Sequence, residues 1–460
     1  MNRQLNSQIL RLSIPSILAN ITVPLVGMVD TAVAGHLSGS YSAATFIGAI
    51  SIGSMMFSLL YWNFSFLRTG TGGLTAQSYG RRDFADCGYI LLRALCMSAA
   101  VALVCLLIQS PFLRLVGAVT NASEEVELLA ARYFRIRIWA APATISLMAF
   151  RGWFVGMQDS MSSMWTDLII NVVNIASSIL LSFGVGSAWQ GLGFEGIAAG
   201  TLIAQYCGLL FCLCTVAFKY FRKVFPSGLR PLLGRLLHDK GIGEFFAMNG
   251  NLLARSLFFI LIYMGYTMIA AGFGDLQLSC SSIMMQLLMI FSYFTDGFAY
   301  AAEALTGRFI GEKNIRLLKQ SIKYVFVWSM SIALGFVVFY MAAGVPLLSV
   351  MTSDGAVIGE CSKYLWALAL MPPLGCAAFT WDGVFLGATS SRQLRDSMGG
   401  AALCFFALWW GVGALTDVNA ESQLLILLLA YFAHLLFRTV YLSVSYSRSL
   451  KKRLEAICAS

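Results

Sequence analysis

Asp30 is the residue of this sequence most able to do chemistry. It sits in the run Pro24-Leu-Val-Gly-Met-Val-Asp30-Thr31, deep inside an apolar stretch with no Lys or Arg near it in sequence. Counted from Arg11 at about 1.5 Å per residue, it lies about 28 Å along a helix, in the outer part of a bilayer. A carboxylate in such surroundings is costly and marks function or a pairing partner. It can hold a proton as the neutral acid and release it when water reaches it, which makes it the candidate proton carrier. The alternative is a carboxylate hydrogen-bonded for structure alone.

Small polar groups lie on another apolar stretch. Asn171 and Asn174 are three apart and Ser178 follows four later, a spacing that puts them on one helix face. With Thr201 they could line a polar cavity beside Asp30, or serve as helix-packing residues, a common use of small polar groups in lipid. Further charges fall inside apolar stretches. Arg255 and Asp296 come out about 15 and 20 Å deep from the same side, so an ion pair between them is expected. Glu303 lies seven residues beyond Asp296, and Arg151 and Asp382 complete the set. A structural role is favoured for all of these charges. Pro15 and Pro24 interrupt the helix that carries Asp30 and would bend it, as a fixed kink or as a hinge. Met28, two residues before Asp30, points to nearly the opposite side and is a poor candidate for the same pocket.

These residues must be positioned by membrane-spanning helices. The chain of 460 residues is 58% hydrophobic and only 12% charged, whereas a soluble domain carries about 25% charged residues. Apolar runs of roughly 20 residues, enough to span a bilayer, fill nearly the whole sequence. They give roughly twelve spans, from Ile9–Ala34, Ala43–Leu67 and Tyr89–Ile108 to Met398–Leu415 and Leu424–Val444. The short polar segment Met1 to Gln8 precedes a run too long for a signal peptide, so the first span is read as retained.

Lys and Arg set the orientation. Arg81 and Arg82, then Lys219, Arg222, Lys223, Arg230, Arg235 and Lys240, then Arg308, Lys313, Arg316 and Lys319, then Arg392 and Arg395, and finally Arg448 to Arg453 follow even-numbered spans. Alternate loops are bare or acidic, as at Glu124, Glu125 and Glu127 or Asp417 and Glu421. Arg114, Arg132, Arg135 and Arg137 are exceptions. By the positive-inside rule both termini and the central linker face the cytoplasm.

The sequence repeats itself. Leu74, Thr75 and Gly80 match Leu305, Thr306 and Gly311; Tyr133, Pro142, Gly152, Phe154 and Gly156 match Tyr364, Pro373, Gly383, Phe385 and Gly387. One constant offset, the distance from Leu74 to Leu305, relates every match, which argues for duplication. The expected plan is all-α, with an amino-terminal six-helix lobe at 1–218, a cytoplasmic basic linker at 219–240 and a carboxyl-terminal six-helix lobe at 241–460. An even number of spans per half relates the lobes by a pseudo-twofold axis along the membrane normal.

Other classes find little support. The net charge of +9 is spread between apolar runs rather than along a soluble basic stripe, so no nucleic-acid partner is expected. The eleven cysteines are scattered, mostly within apolar runs, and lack zinc-ligand spacing, so no metal site is expected. No Walker loop, zinc motif or nucleophile elbow is present. An integral-membrane enzyme acting on lipid would cluster His, Asp or Glu at an interface, and no such cluster is seen.

The run Asn20-Ile-Thr-Val-Pro-Leu-Val-Gly-Met-Val-Asp30-Thr31-Ala-Val-Ala-Gly35-His36-Leu37 resembles the first span of DinF-like exporters of the MATE (multidrug and toxic compound extrusion) family. So do Gly193-Phe-Glu-Gly-Ile-Ala-Ala-Gly-Thr201, Asn249 with Arg255-Ser-Leu, and Asp296-Gly-Phe-Ala-Tyr-Ala-Ala-Glu303-Ala. The resemblance covers essentially the whole chain. It implies two six-helix lobes with a central cleft, and export of organic, often cationic compounds against an inward flow of protons or sodium ions. It carries the family's first-span carboxylate onto Asp30 and its polar partners onto Asn174 and Thr201. Many relatives have an Asp where Ser178 stands, and NorM-like relatives place an acid in span seven, where Phe246 to Ala271 has none. Both departures favour protons over sodium. The expected protein is a monomeric proton-coupled antiporter of the inner membrane that needs no cofactor. A flippase for a lipid-linked saccharide, with a cationic central cavity, is the main rival.

Overall fold

A computed structural model describes residues 3–37, 41–120, 122–184, 189–226, 228, 234, 242–415 and 420–459. The readings made on Arg230, Arg235, Lys240 and Asp417 lie outside the described residues. All regular structure described is helical, as backbone groups in lipid require. Among the described residues, eleven helices are long and apolar enough to cross a membrane by length and composition. The expected eleventh span falls in a further 25-residue helix, Ser391–Leu415. Large side chains such as Leu107, Met268 and Leu403 are mostly exposed, which suits an outer surface solvated by lipid.

The chain forms two compact units. One comprises Leu18–Tyr79 and Asp83–Lys240; the other comprises Met1–Ile17, Gly80–Arg82 and Gly241–Ser460. Helix α1 (Arg3–Gly35) therefore runs through the boundary at Ile17, between Pro15 and Pro24, and stays helical across both prolines.

The first unit continues with α2 (Ala43–Trp62), α3 (Phe66–Gly80), α4 (Phe84–Leu107), α5 (Gln109–Val119), α6 (Glu124–Arg137), α7 (Ala141–Gly156), α8 (Ser160–Phe183) and α9 (Phe194–Thr215). The expected second span is thus broken, between α2 and α3. A π-turn (Val216–Tyr220) and the short α10 (Phe221–Val224) follow α9. The stretch read as linker from Lys219 continues the packed unit as far as Phe225. Tyr220, Val224 and Phe225 are buried against Trp153, Phe154 and Cys87, because these three side chains turn inward while Phe221, Arg222 and Lys223 stay exposed.

The second unit holds α11 (Ile242–Ala271), α12 (Asp275–Gly311), α13 (Ile315–Met351), α14 (Gly355–Lys363), α15 (Leu365–Gly387), α16 (Ser391–Leu415), α17 (Ala420–Ser445), a second π-turn (Tyr446–Leu450) and α18 (Lys451–Ala459). Phe291, Tyr340, Leu368, Met371, Phe405 and Leu435 anchor its core.

The repeat is written into the backbone. A Cβ at Gly152 would run into the Arg68 carbonyl, and one at Gly383 into the Ala299 carbonyl; Gly156 faces Gly72 and Thr75, and Gly387 faces Glu303 and Thr306. The partners in the two units are related by the same offset as the glycines themselves. In both units a glycine-lined helix therefore approaches its neighbour at backbone distance. The helix ends match too. Arg82 and Lys313 take left-handed φ of 59° and 55°, and Gln158 and Thr389 take 63° and 53°. The residue after each donates back across the turn: Asp83 to the Ser78 carbonyl, Asn314 to Phe309, Asp159 to Phe154 and Ser390 to Phe385, at 2.8–3.0 Å. These are helix C-terminal closures of one kind. Asp83 and Asn314 then cap the next helix through the Asp86 and Leu317 amides.

Candidate functional site

The polar residues of the first unit are positioned by a close helix pair. On α8, Ser162, Thr166, Ile170, Asn174, Ser178 and Ser182 recur every fourth residue, and all are buried. On α9 the buried residues Gly196, Gly200, Ala204, Gly208 and Cys212 do the same. Cβ atoms at Gly200 and Gly208 would meet Ser178 and Ile170. Stripes of small residues let two helices pack closely, so the α8 face is a packing face. It is also where the polar groups gather.

Asp30 is buried, with 4% of its surface exposed. The Ser178 hydroxyl donates to its Oδ1 at 3.3 Å. One turn away, Asn174 Nδ2 donates to Thr201 Oγ1 at 2.9 Å, and Thr201 in turn donates to the Ile197 carbonyl at 3.2 Å. Asn174 Oδ1 is buried and accepts no hydrogen bond among the described residues. Asn171 reaches elsewhere: its Nδ2 donates to Thr22 Oγ1 on α1 at 2.6 Å. The face read from sequence thus ties α8 to α1 at two levels, through Asn171–Thr22 and Ser178–Asp30, and to α9 through Asn174–Thr201. Met28 is 66% exposed and stands away from this group.

Asp30 has no Lys or Arg near it in sequence, but it has a cation in space. The charge of Arg137, on α6, acts on Asp30 and on Tyr133. Arg137 donates to the Tyr133 hydroxyl at 2.5 Å and stacks over the Phe57 ring at 4.7 Å. In the sequence Arg137 stands only as an exception to the loop-charge pattern. Its place inside the fourth span, one turn after Tyr133, was the signal available.

Three further intramembrane charges, Arg151, Arg255 and Asp382, pair within their own units. Arg151 holds Asp167 of α8 through Nε at 2.7 Å and Nη2 at 2.5 Å, both on Oδ1. Asp167 was not singled out. The expected Arg255–Asp296 pair does not form. Arg255 Nη2 donates instead to Asp382 Oδ2 at 2.6 Å, and Arg438 Nη2 donates to the same oxygen at 2.5 Å. Equal depth fixes height along a helix but not the face presented. Helix α11 packs far more extensively on α16 than on α12, and α15, which carries Asp382, packs on α17, which carries Arg438. Arg438 is a span arginine with 2% of its surface exposed, and a search for charges within the twelfth span would have found it. Asp296 is partly buried and Glu303 is fully buried, both on α12. No group of His, Cys, Asp and Glu suited to hold a metal ion occurs among the described residues.

A bundle of this kind, with a few carboxylates and guanidiniums set inside its apolar helices, defines a multi-pass membrane protein. The MatE family model matches residues 15–180 and 252–394, well over half of the chain, and the chain belongs to that family. It is 32% identical over 397 residues to DNA damage-inducible protein F of Escherichia coli (strain K12), covering 86% of this chain and 83% of that protein. It is 24% identical over 396 residues to the probable multidrug resistance protein NorM of Photorhabdus laumondii, covering 84% and 83%. A crystal structure of MATE in the bent conformation superposes with a TM-score of 0.83 at 17% identity, over 99% of each chain.

Proposed function

We propose that the chain is a secondary antiporter that exports organic compounds, often cationic or amphipathic, in exchange for protons. In this reading it sits in the inner membrane as a monomer, with both termini and the 219–240 segment on the cytoplasmic side. The observation that carries it is Asp30, buried in α1 with a hydroxyl as its hydrogen-bond donor. Such a carboxylate offers one negative charge. A proton and a cationic substrate compete for that charge, and binding of either disfavours the other. This is linkage, the thermodynamic core of antiport. Family membership and the NorM relative, named as a multidrug resistance protein, support the substrate class.

Ser178 supports protons over sodium. Sodium is bound by several hard oxygen ligands, and a site of Asp30, Asn174, Ser178 and Thr201 brings a single formal charge to offset its dehydration. A proton needs only the one carboxylate.

The test uses the full chain in proteoliposomes loaded with ethidium under an imposed proton gradient. Wild-type efflux should follow the gradient and be the same in sodium and potassium. Asp30→Asn should insert normally and lose gradient-driven efflux altogether, while Ser178→Asp should gain sodium stimulation. Wild-type efflux from Asp30→Asn, or strong stimulation of the wild type by sodium but not potassium, overturns the reading.

A further inference from the structure

Asp382 must neutralise two cations. Arg255 and Arg438 each reach it through Nη2 alone, and both use Oδ2. The Nε atoms of both arginines are buried without an acceptor. The contrast with Arg151 is direct, since that arginine turns both Nε and Nη2 onto the single carboxylate of Asp167. A two-to-one cluster within membrane spans carries a formal charge of +1 and leaves guanidinium donors unused. Both deficits are costly in a poorly hydrated setting.

Among the described residues no second ion pair removes the excess. Helix α12, packed on α15, contributes the acids Asp296 and Glu303, and neither is an ion-pair partner of these arginines. His434, one turn before Arg438 on α17, is engaged with the Tyr431 carbonyl at 2.6 Å. The hydrogen bonds and ion pairs of both arginines, among the described residues, run to Asp382 alone. Arg438 is sealed in, at 2% side-chain exposure, and lies over the Phe379 ring at 5.6 Å; Arg255 keeps 20% of its side chain exposed.

We propose that the Arg255–Asp382–Arg438 cluster is a binding subsite for the carboxylate group of an organic acid. The planar guanidinium matches a carboxylate with parallel N–H donors. The incoming group supplies the missing negative charge and acceptors for donors that Asp382 leaves unused. Arg255, the more accessible fork, meets it first, and Arg438 is the fixed member behind. The Phe379 ring offers an apolar contact to the body of the same molecule. The antiporter then accepts acidic or zwitterionic amphipathic compounds as well as cations. This subsite lies in the unit that does not hold Asp30, and its occupancy is measured without a gradient, so it and the antiport reading can fail independently.

The test compares 2-naphthoate with 2-naphthylmethylamine, which share an aromatic body and differ in charge, on purified full-length protein by calorimetry. Wild type should bind 2-naphthoate saturably. Arg255→Gln should weaken that binding by about tenfold or more and leave the amine unchanged, with Arg255→Lys falling between. Arg255→Gln leaves a balanced one-to-one pair, so it should fold. A measurement on the wild type stands beside it: 2-naphthoate should protect Arg255 from phenylglyoxal modification, read by mass spectrometry, and the amine should not. Absent saturable binding, equal binding by Arg255→Gln, or protection by inorganic phosphate but not by 2-naphthoate each overturns the proposal.

Discussion

The two units share a backbone plan and differ in what they bury on it. Gly152 against Arg68 and Gly383 against Ala299 are the same contact twice, as are the left-handed closures at Gln158 and Thr389. The charges do not follow. Position 151 is an arginine paired with Asp167, and its counterpart in the second half of the repeat is Asp382, gripped by two arginines. Asp30 lies beside a serine hydroxyl in one unit, and the other unit concentrates guanidinium. Backbone contacts between glycine-lined helices tolerate almost no change, because a single Cβ would displace a helix. Side chains facing a polar interior are held less tightly by packing, so after duplication they are free to take up different chemistry.

If this division is right, the largest effect should come from stranding the uneven charge. Asp382→Ala leaves two partly or fully buried guanidiniums without a counter-ion and should cost about 3–5 kcal/mol. Asp167→Ala strands only Arg151, which is 27% exposed and can turn toward water, so roughly 1–2 kcal/mol is expected. Thermal unfolding in detergent compares the two. Equal losses would mean that the one-to-one and two-to-one clusters are energetically alike, and the comparison would collapse.

The shared scaffold makes the opposite forecast. Gly152→Ala and Gly383→Ala each place a methyl against a carbonyl of the neighbouring helix, and each should cost about 1–3 kcal/mol through overpacking. The two values should agree within about 0.5 kcal/mol, because the contacts are the same. A neutral result at one site alone would show that only one unit keeps the close approach.

How much of this was legible in the sequence depends on the kind of information needed. Span positions follow from length and apolarity, and the constant offset of the repeat follows from a handful of Tyr, Pro, Gly and Phe matches. The α8 face was legible because helical periodicity alone puts Asn174 and Ser178 one turn apart. Which charges meet across helices was not. Asp30 looked solitary because its cation, Arg137, stands at the end of α6, several helices further along the chain. Arg255 and Asp296 match in depth but do not pair: depth can be counted from sequence and rotation cannot. Helix α2 ends at Trp62 and α3 begins at Phe66, yet the three-residue break, Asn63-Phe64-Ser65, is too short to interrupt an apolar run that reads as one span. The packing of Tyr220 and Phe225 was hidden for the converse reason, as neighbouring basic residues made the segment look like linker.

The smallest expected effect lies at a loop where the repeat loses a charge. Asp159 precedes α8, outside the spans, and its counterpart in the repeat is Ser390. Asp159 accepts from Lys219 Nζ at 2.7 Å, the Tyr220 hydroxyl at 2.6 Å, and the Ser162 hydroxyl at 2.5 Å and amide at 3.3 Å. Burial alone would push its carboxyl upward, but the bonds from Lys219, Ser162 and Tyr220 together outweigh that and hold it below the ordinary carboxylate value. The sign follows from linkage. A carboxyl whose folded value is depressed stabilises the fold at neutral pH and loses that contribution as pH falls from the unfolded value toward the folded one. Lys219 is 53% exposed, so its share is screened, and the cap and tyrosine bonds should supply most of roughly 1–2 kcal/mol. Asp159→Asn should therefore unfold at lower temperature than wild type at pH 7. The gap should hold down to about pH 4 and narrow below it. Ser390→Ala, with no acid to remove, should show no such pH dependence. A gap for Asp159→Asn that widens as pH falls would reverse the sign and remove the carboxylate from its place as the anchor of the Val216–Tyr220 turn.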